Sequence, residues 1–162
     1  MQYSKTGKQL TERFEGCVLH AYADHGEFSI GYGHRGVPAG STCTQAQAEA
    51  WLDEDIQAAV DFVNKHVTWP LTQGQFDSLV DFTFNVGIGN FLNSTLLRMI
   101  NAGKFSEAAA QFARWNKAGG HVDADLVERR EAEKEEFVGP NSARPDSSPQ
   151  ADPPGNSSDA HG

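Results

Sequence analysis

Only two of the 162 residues are cysteine, too few for a disulfide framework. Cys17 and Cys43 are therefore expected as free thiols packed like small hydrophobes. No apolar run approaches the ~18 residues of a membrane span. The N-terminal stretch Met1-Gln2-Tyr3-Ser4-Lys5 is not followed by an apolar segment, so neither a secretory signal nor an anchor is expected. Cations are scarce: 13 Lys and Arg stand against 22 Asp and Glu, for a net charge of −9. A nucleic-acid surface needs clustered Lys and Arg, so that class of partner is excluded, as is electrostatic attack on an anionic membrane. The histidines at positions 20, 25, 34, 66, 121 and 161 form no HExxH or comparable ligand spacing. No metal and no cofactor is expected.

The chain has the length of one domain with a real core. Ser4 can cap a first helix that runs through Phe14 and ends at Gly16. Residues 17 to 34 read as a small antiparallel unit, with His25-Gly26 as its tight connection. Phe28, Ile30 and Tyr32 alternate with Ser29, Gly31 and Gly33. One face is thus expected to bury, and the other to be nearly bare backbone. Thr44-Gln45-Ala46-Gln47 opens a helix of about twenty residues, with Leu52, Ile56, Ala59, Val60 and Val63 on its inner side. Thr72 with Gln75 caps a further helix, whose expected inner stripe is Phe76, Leu79, Val80 and Thr83. Shorter helices are expected over 94–101, 105–116 and 123–137, the last two separated by Gly119-Gly120. From position 140 five prolines, five serines and no aromatic residue fill 23 positions. Residues 140–162 are therefore expected to be a disordered tail following a domain of residues 1–139.

Chemistry is concentrated in residues 15 to 34, EGCVLHAYADHGEFSIGYGH. Glu15 ends the first helix, and Asp24 stands nine positions later at the turn. Two carboxyl groups on separate elements across a cleft suit cleavage of a glycosidic bond. One donates a proton to the leaving oxygen; the other, ionised, directs water or stabilises positive charge. The negative end of a helix dipole is a fitting place for the donor. His34 is expected to be structural, held by a carboxylate on the long helix such as Asp55.

This stretch resembles the N-terminal signature of the phage-type lysozymes, the endolysins of glycoside hydrolase family 24. Further blocks carry the resemblance: Gln75 to Phe82, Phe84-Asn85-Val86-Gly87, Gly89-Asn90-Phe91, Ser94-Thr95-Leu96-Leu97, Arg114-Trp115-Asn116 and Arg129-Arg130-Glu131-Ala132-Glu133. Together they span roughly residues 4 to 138. The resemblance implies an α+β lysozyme-like fold, with a small N-terminal β lobe and a larger helical lobe joined by a long helix. It implies a peptidoglycan hydrolase that cuts the β-1,4 bond between N-acetylmuramic acid and N-acetylglucosamine. Glu15 is then the general acid, with Asp24 and Ser29 placing the water. Arg129 or Arg130, the former by preference, pairs with Glu15, and Gly31, Gly33, Asn85 and Trp115 join Arg129 in binding substrate. It further implies a monomer that gathers in the host cytoplasm and reaches the wall through a separate holin. In one respect the chain departs from the pattern: the family's Thr stands six residues after the Asp, whereas Ser29 stands five after Asp24. That departure motivates an alternative, a peptidoglycan-binding relative weakened in catalysis.

Overall fold

The computed structural model describes residues 1–139. The expectation of a disordered tail falls on residues outside that range. Helix α1 (Lys5–Glu15) begins where the Ser4 hydroxyl accepts the Gly7 N–H at 3.1 Å. It stops at Gly16, whose φ of +66° turns the chain away and leaves Glu15 as the last helical residue. Strands β1 (Val18–Asp24) and β2 (Glu27–Gly31) pair antiparallel, and β3 (His34–Arg35) adds to β2. The link between β1 and β2 is His25 at φ +46° and Gly26 at φ +82°. Left-handed backbone at both central positions matches the twist of a two-residue hairpin. The pairing sets Tyr22 opposite Ser29, and Ser29 opposite Arg35. These three form one row across the sheet, and Asp24 lies diagonally next to Ser29.

The expected alternation in β2 is corrected here. Phe28 is exposed, while Ser29 and Ile30 are both fully buried. Tyr32 is buried as expected. A sheet only three strands wide has too little neighbouring surface to cover Phe28, whereas Ser29 on the opposite face is covered. Gly31 is buried against the next helix: a Cβ placed there would lie 3.0 Å from Ala48 Cβ. Its bareness serves close helix–strand approach and does not expose backbone to a ligand.

Helix α2 (Gln45–His66) joins two cores. Its first half packs Ala48 and Leu52 with Tyr32 under the sheet, and Cys17 and Cys43 pack against that cluster as free thiols. From Ile56 to Val63 it belongs to the helical core. Phe84 touches both clusters and ties them together. Helix α3 (Gln73–Val86) starts with a complete capping box between Thr72 and Gln75. It is not one-sided as its apolar stripe suggests. Every residue from Gln75 to Thr83 is buried, because α1, α2 and α7 surround it. Polar residues on this helix, Asp77 and Asp81 among them, are thereby forced inside.

Helices α4 (Ile88–Leu92), α5 (Thr95–Asn101) and α6 (Phe105–Gln111) complete the lobe with α7 (Ala124–Val138). The helix expected over 105–116 ends earlier. A single 3₁₀ turn, Phe112–Arg114, is followed by a small hairpin of β4 (Lys117–Ala118) and β5 (His121–Val122) around Gly119-Gly120. Those glycines, at φ +57° and +81°, close a turn as well as separating helices. Among the described residues no helix is long and apolar enough to cross a membrane.

Candidate active site

Gly16 stops α1 at the edge of a groove of about 450 Å³ between the two lobes, so Glu15 projects there. Gly33, His34 and Arg35 line the groove from the sheet side, Asp55 from α2 and Asn85 from α3. The Glu15 side chain is 23% exposed, and its Oε1 accepts Arg129 Nη1–H at 2.9 Å. Arg129 stands on α7 and is itself buried. Its Nε and Nη2 donate to the two oxygens of Asp81 at 3.0 and 2.8 Å. The Thr11 hydroxyl, one turn before Glu15 on α1, also donates to Asp81 at 2.8 Å. Burial alone would raise the Asp81 pKa. Hydrogen bonds from Glu133, Arg129 and Thr11, with the Arg129 charge, outweigh it and hold Asp81 below the usual carboxylate range. Burial opposes the charge on Arg129 too, yet its bonds to Asp81 and Glu15 raise its affinity for the proton.

The neighbouring Arg130 serves another part of the groove. Its Nη2 donates to Asn85 Oδ1 at 2.7 Å and to Glu133 Oε1 at 2.8 Å. Its Nε lies 2.7 Å from Glu133 Oε2, close enough for an ion pair but poorly aligned for a hydrogen bond. The guanidinium carbon sits 5.0 Å above the centre of the Phe82 ring. Asn85 therefore presents its amide from a fixed position.

On the sheet side, Ser29 Oγ donates to Asp24 Oδ2 at 3.1 Å. The shortened turn has not slipped the strand: Ser29 stays on the face of Asp24, as its pairing with Tyr22 requires. Tyr22 stands in the field of both carboxylates. Burial, then Asp24, then Glu15 raise its pKa, while Arg35 opposes them. Asp24 and Glu15 thus both act on the Tyr22 hydroxyl, from opposite elements. His34 Nδ1 lies 2.9 Å from Asp55 Oδ2, and its ring stacks on Trp51 with centroids 4.6 Å apart and 4° between planes. The expected pairing of His34 with Asp55 is present.

Three of the residues expected to touch substrate stand elsewhere. Trp115 packs edge-on against Phe82 at 5.7 Å in the helical core and does not line the groove. Gly31 faces α2. Arg129 lies beneath Glu15, where it positions that carboxylate. Gly33 and Asn85 do line the groove. Sequence reasoning did not find Thr11, Asp81 or Glu133. The one signal available was the spacing of Arg129, Arg130 and Glu133, which sets an acid one turn beyond two arginines.

Two lobes around a groove, with a helix-end glutamate at its edge and an aspartate–serine pair on the adjoining sheet, make a lysozyme-like α+β domain. The comparisons agree. The family model for phage lysozyme matches residues 12–133, and the chain belongs to that family. It is 46% identical over 142 residues to an endolysin of Bacillus phage PZA, covering 85% of this chain and 55% of that protein. It is 38% identical over 145 residues to the endolysin of Salmonella phage P22, covering 85% of this chain and 99% of that one. The muramidase domain of SpmX from Asticaccaulis excentricus superposes with a TM-score of 0.82 at 39% identity, over 86% of this chain and 99% of that domain. The chain spans about half the length of the Bacillus phage relatives it matches.

Proposed function

We propose that the chain is a muramidase that hydrolyses the β-1,4 bond between N-acetylmuramic acid and N-acetylglucosamine in peptidoglycan. The observation that carries this is Glu15 pinned by Arg129 at the groove, facing a surface that also holds Asp24 and Ser29. Arg129 Nη1–H occupies Glu15 Oε1, so the proton of the neutral acid belongs on Oε2. That oxygen lies on the Gly33 side, where a Cβ would approach it to 3.4 Å. The missing side chain leaves room for the glycosidic oxygen.

The step balances with these groups alone. Glu15 Oε2 passes its proton to the leaving oxygen as the glycosidic bond breaks. A water held between Asp24 and Ser29 forms the new bond to the sugar carbon and gives its proton to Asp24. Ser29 donates its own hydrogen to Asp24, so its lone pairs remain to orient that water. Access to the wall by way of a separate holin, from a pool inside the host cell, completes the proposal.

The decisive experiment is clearing of purified cell walls with mass analysis of the released fragments. Reducing muropeptides are expected. Anhydro-muropeptides would point to a lytic transglycosylase, and binding without release to the weakened relative. The intact Ser29–Asp24 bond weighs against the latter, since the Ser29 hydroxyl reaches Asp24 despite the shortened turn.

A further inference from the structure

One charged side chain on the groove is uncommitted. Of the titratable residues that line it, Glu15 is held by Arg129 at 2.9 Å, and His34 Nδ1 lies 2.9 Å from Asp55 Oδ2. Arg35 lines the same groove with no such partner: among the described residues it has no ion pair and no side-chain hydrogen bond. Its position is nevertheless fixed. Strand β3 sets Arg35 opposite Ser29, on the row that also holds Tyr22. Side chains of one row leave the same face of a sheet, so Arg35 stands on the face of Ser29 and Asp24. At Gly36 the chain turns away at φ +81°, with open space where a side chain would be. The guanidinium is thus left exposed beside the groove.

The surrounding charge makes this cation informative. With a net charge of −9, the chain as a whole is not drawn to an anionic wall, so any attraction for anions has to be local. The sugar rings of peptidoglycan offer hydroxyls and acetamides, and the lactyl carboxyl of muramic acid is consumed in its amide to the peptide. Carboxylates are carried by the peptide stems. A guanidinium suits such a group, because its parallel N–H donors match the two oxygens of a carboxylate. We propose that Arg35 binds a carboxylate of the peptide stem, so that the chain prefers wall strands with free stem carboxylates over strands whose stems are amidated. This rests on the muramidase reading and names the part of that substrate which sets the preference. Arg35 takes no part in proton transfer.

A cycle of two changes tests it. Purified walls, stripped of phosphate polymers, are used as they are or after carbodiimide coupling to ammonia has turned their carboxylates into amides. Initial clearing rates against wall concentration give kcat/KM for the unsubstituted chain and for Arg35→Gln. Either change alone is expected to lower kcat/KM by about three- to fivefold, chiefly through KM, the upper end for an exposed ion pair. Both together should lower it no further, since each removes the same pair. Arg35→Lys keeps the charge without the fork and should fall between. Melting temperature should not move, because the side chain is exposed. Losses that multiply would show that Arg35 acts on something other than a stem carboxylate, and the proposal fails. Clearing of untreated walls by Arg35→Gln at the unsubstituted rate overturns it too. If the unsubstituted chain clears neither wall, the muramidase reading fails, and calorimetric titration with soluble muropeptides decides Arg35 separately. Weaker binding by Arg35→Gln of the free-carboxylate form alone upholds the proposal; equal results for the two chains overturn it.

Discussion

The helical side and the sheet side of the candidate site are built in opposite ways. The helical wall holds Glu15 through a buried chain of bonds: Arg129 to Glu15, Arg129 twice to Asp81, Thr11 to Asp81, and Glu133 behind them. Three helices must be in place for it to exist. The sheet wall holds Asp24 through one hydroxyl on the neighbouring strand, next to a two-residue turn. The Asp24 side chain is 27% exposed and neighbours His25 at 3.6 Å across the turn. A buried polar network is rigid and intolerant, since a lost partner leaves a charge unpaired away from water. A surface strand pair tolerates change, and a turn can lose a residue while register survives.

That contrast can be broken most severely at Arg129. Arg129→Met removes the hub and leaves Asp81 buried without its cation. Unfolding stability should fall by about 3–5 kcal/mol, as for breaking other buried ion pairs. Urea denaturation checks it; a loss under ~1 kcal/mol would mean that the network is not rigidly coupled to the fold. Next in size is Glu15→Gln, which cannot donate a proton in the same way. Wall clearing should drop by at least ~10²-fold with little change in melting temperature. Near-normal clearing would remove Glu15 from the role of acid.

Gly33→Ala tests the opening above Glu15 Oε2. The position has φ +79°, so a side chain there is strained by about 1–3 kcal/mol, and its Cβ would also touch the carboxyl oxygen. Turnover should fall beyond what the stability loss explains, and Gly36→Ala, at φ +81° with nothing nearby, is the control for strain alone. On the sheet wall, Ser29→Ala should raise the barrier by about 1–3 kcal/mol, the range for one positioned hydrogen bond. Ser29→Thr should keep the hydroxyl and the activity, read from initial clearing rates. Unchanged turnover in Ser29→Ala would leave the water to Asp24 alone.

The smallest effect sharpens the comparison through pH. The folded-state pKa of Glu133 is raised by burial and Asp81. Its contribution to stability is therefore fully present below the unfolded glutamate value and is lost as pH rises towards the folded one. Glu133→Gln removes that dependence. The variant should gain stability relative to the unsubstituted chain as pH is raised from acid to neutral, followed by melting temperature across pH. Asp81 runs the other way: its lowered pKa contributes stability that disappears as pH falls through the folded value.

Much of this molecule is legible in its residues because local rules suffice. Ser4 and Gly16 bound α1, Thr44 opens α2, Thr72 with Gln75 opens α3, and His25-Gly26 turns the hairpin. Capping and turn chemistry act within four residues, so a one-dimensional reading reaches them. The family pattern placed Glu15 with Arg129, 114 positions apart, and the residues themselves suggested His34 with Asp55. What tertiary structure alone decided is which faces are covered. Phe28 has apolar chemistry but no neighbour to bury it, and Trp115 was drawn into the core by Phe82 rather than left to the groove. Gly31 was taken up by the close approach of Ala48. Asp81 and Glu133 look like ordinary helix-surface acids until three helices close around them. Burial depends on elements distant in the chain, and it is burial that turns those acids into a charged network beneath Glu15.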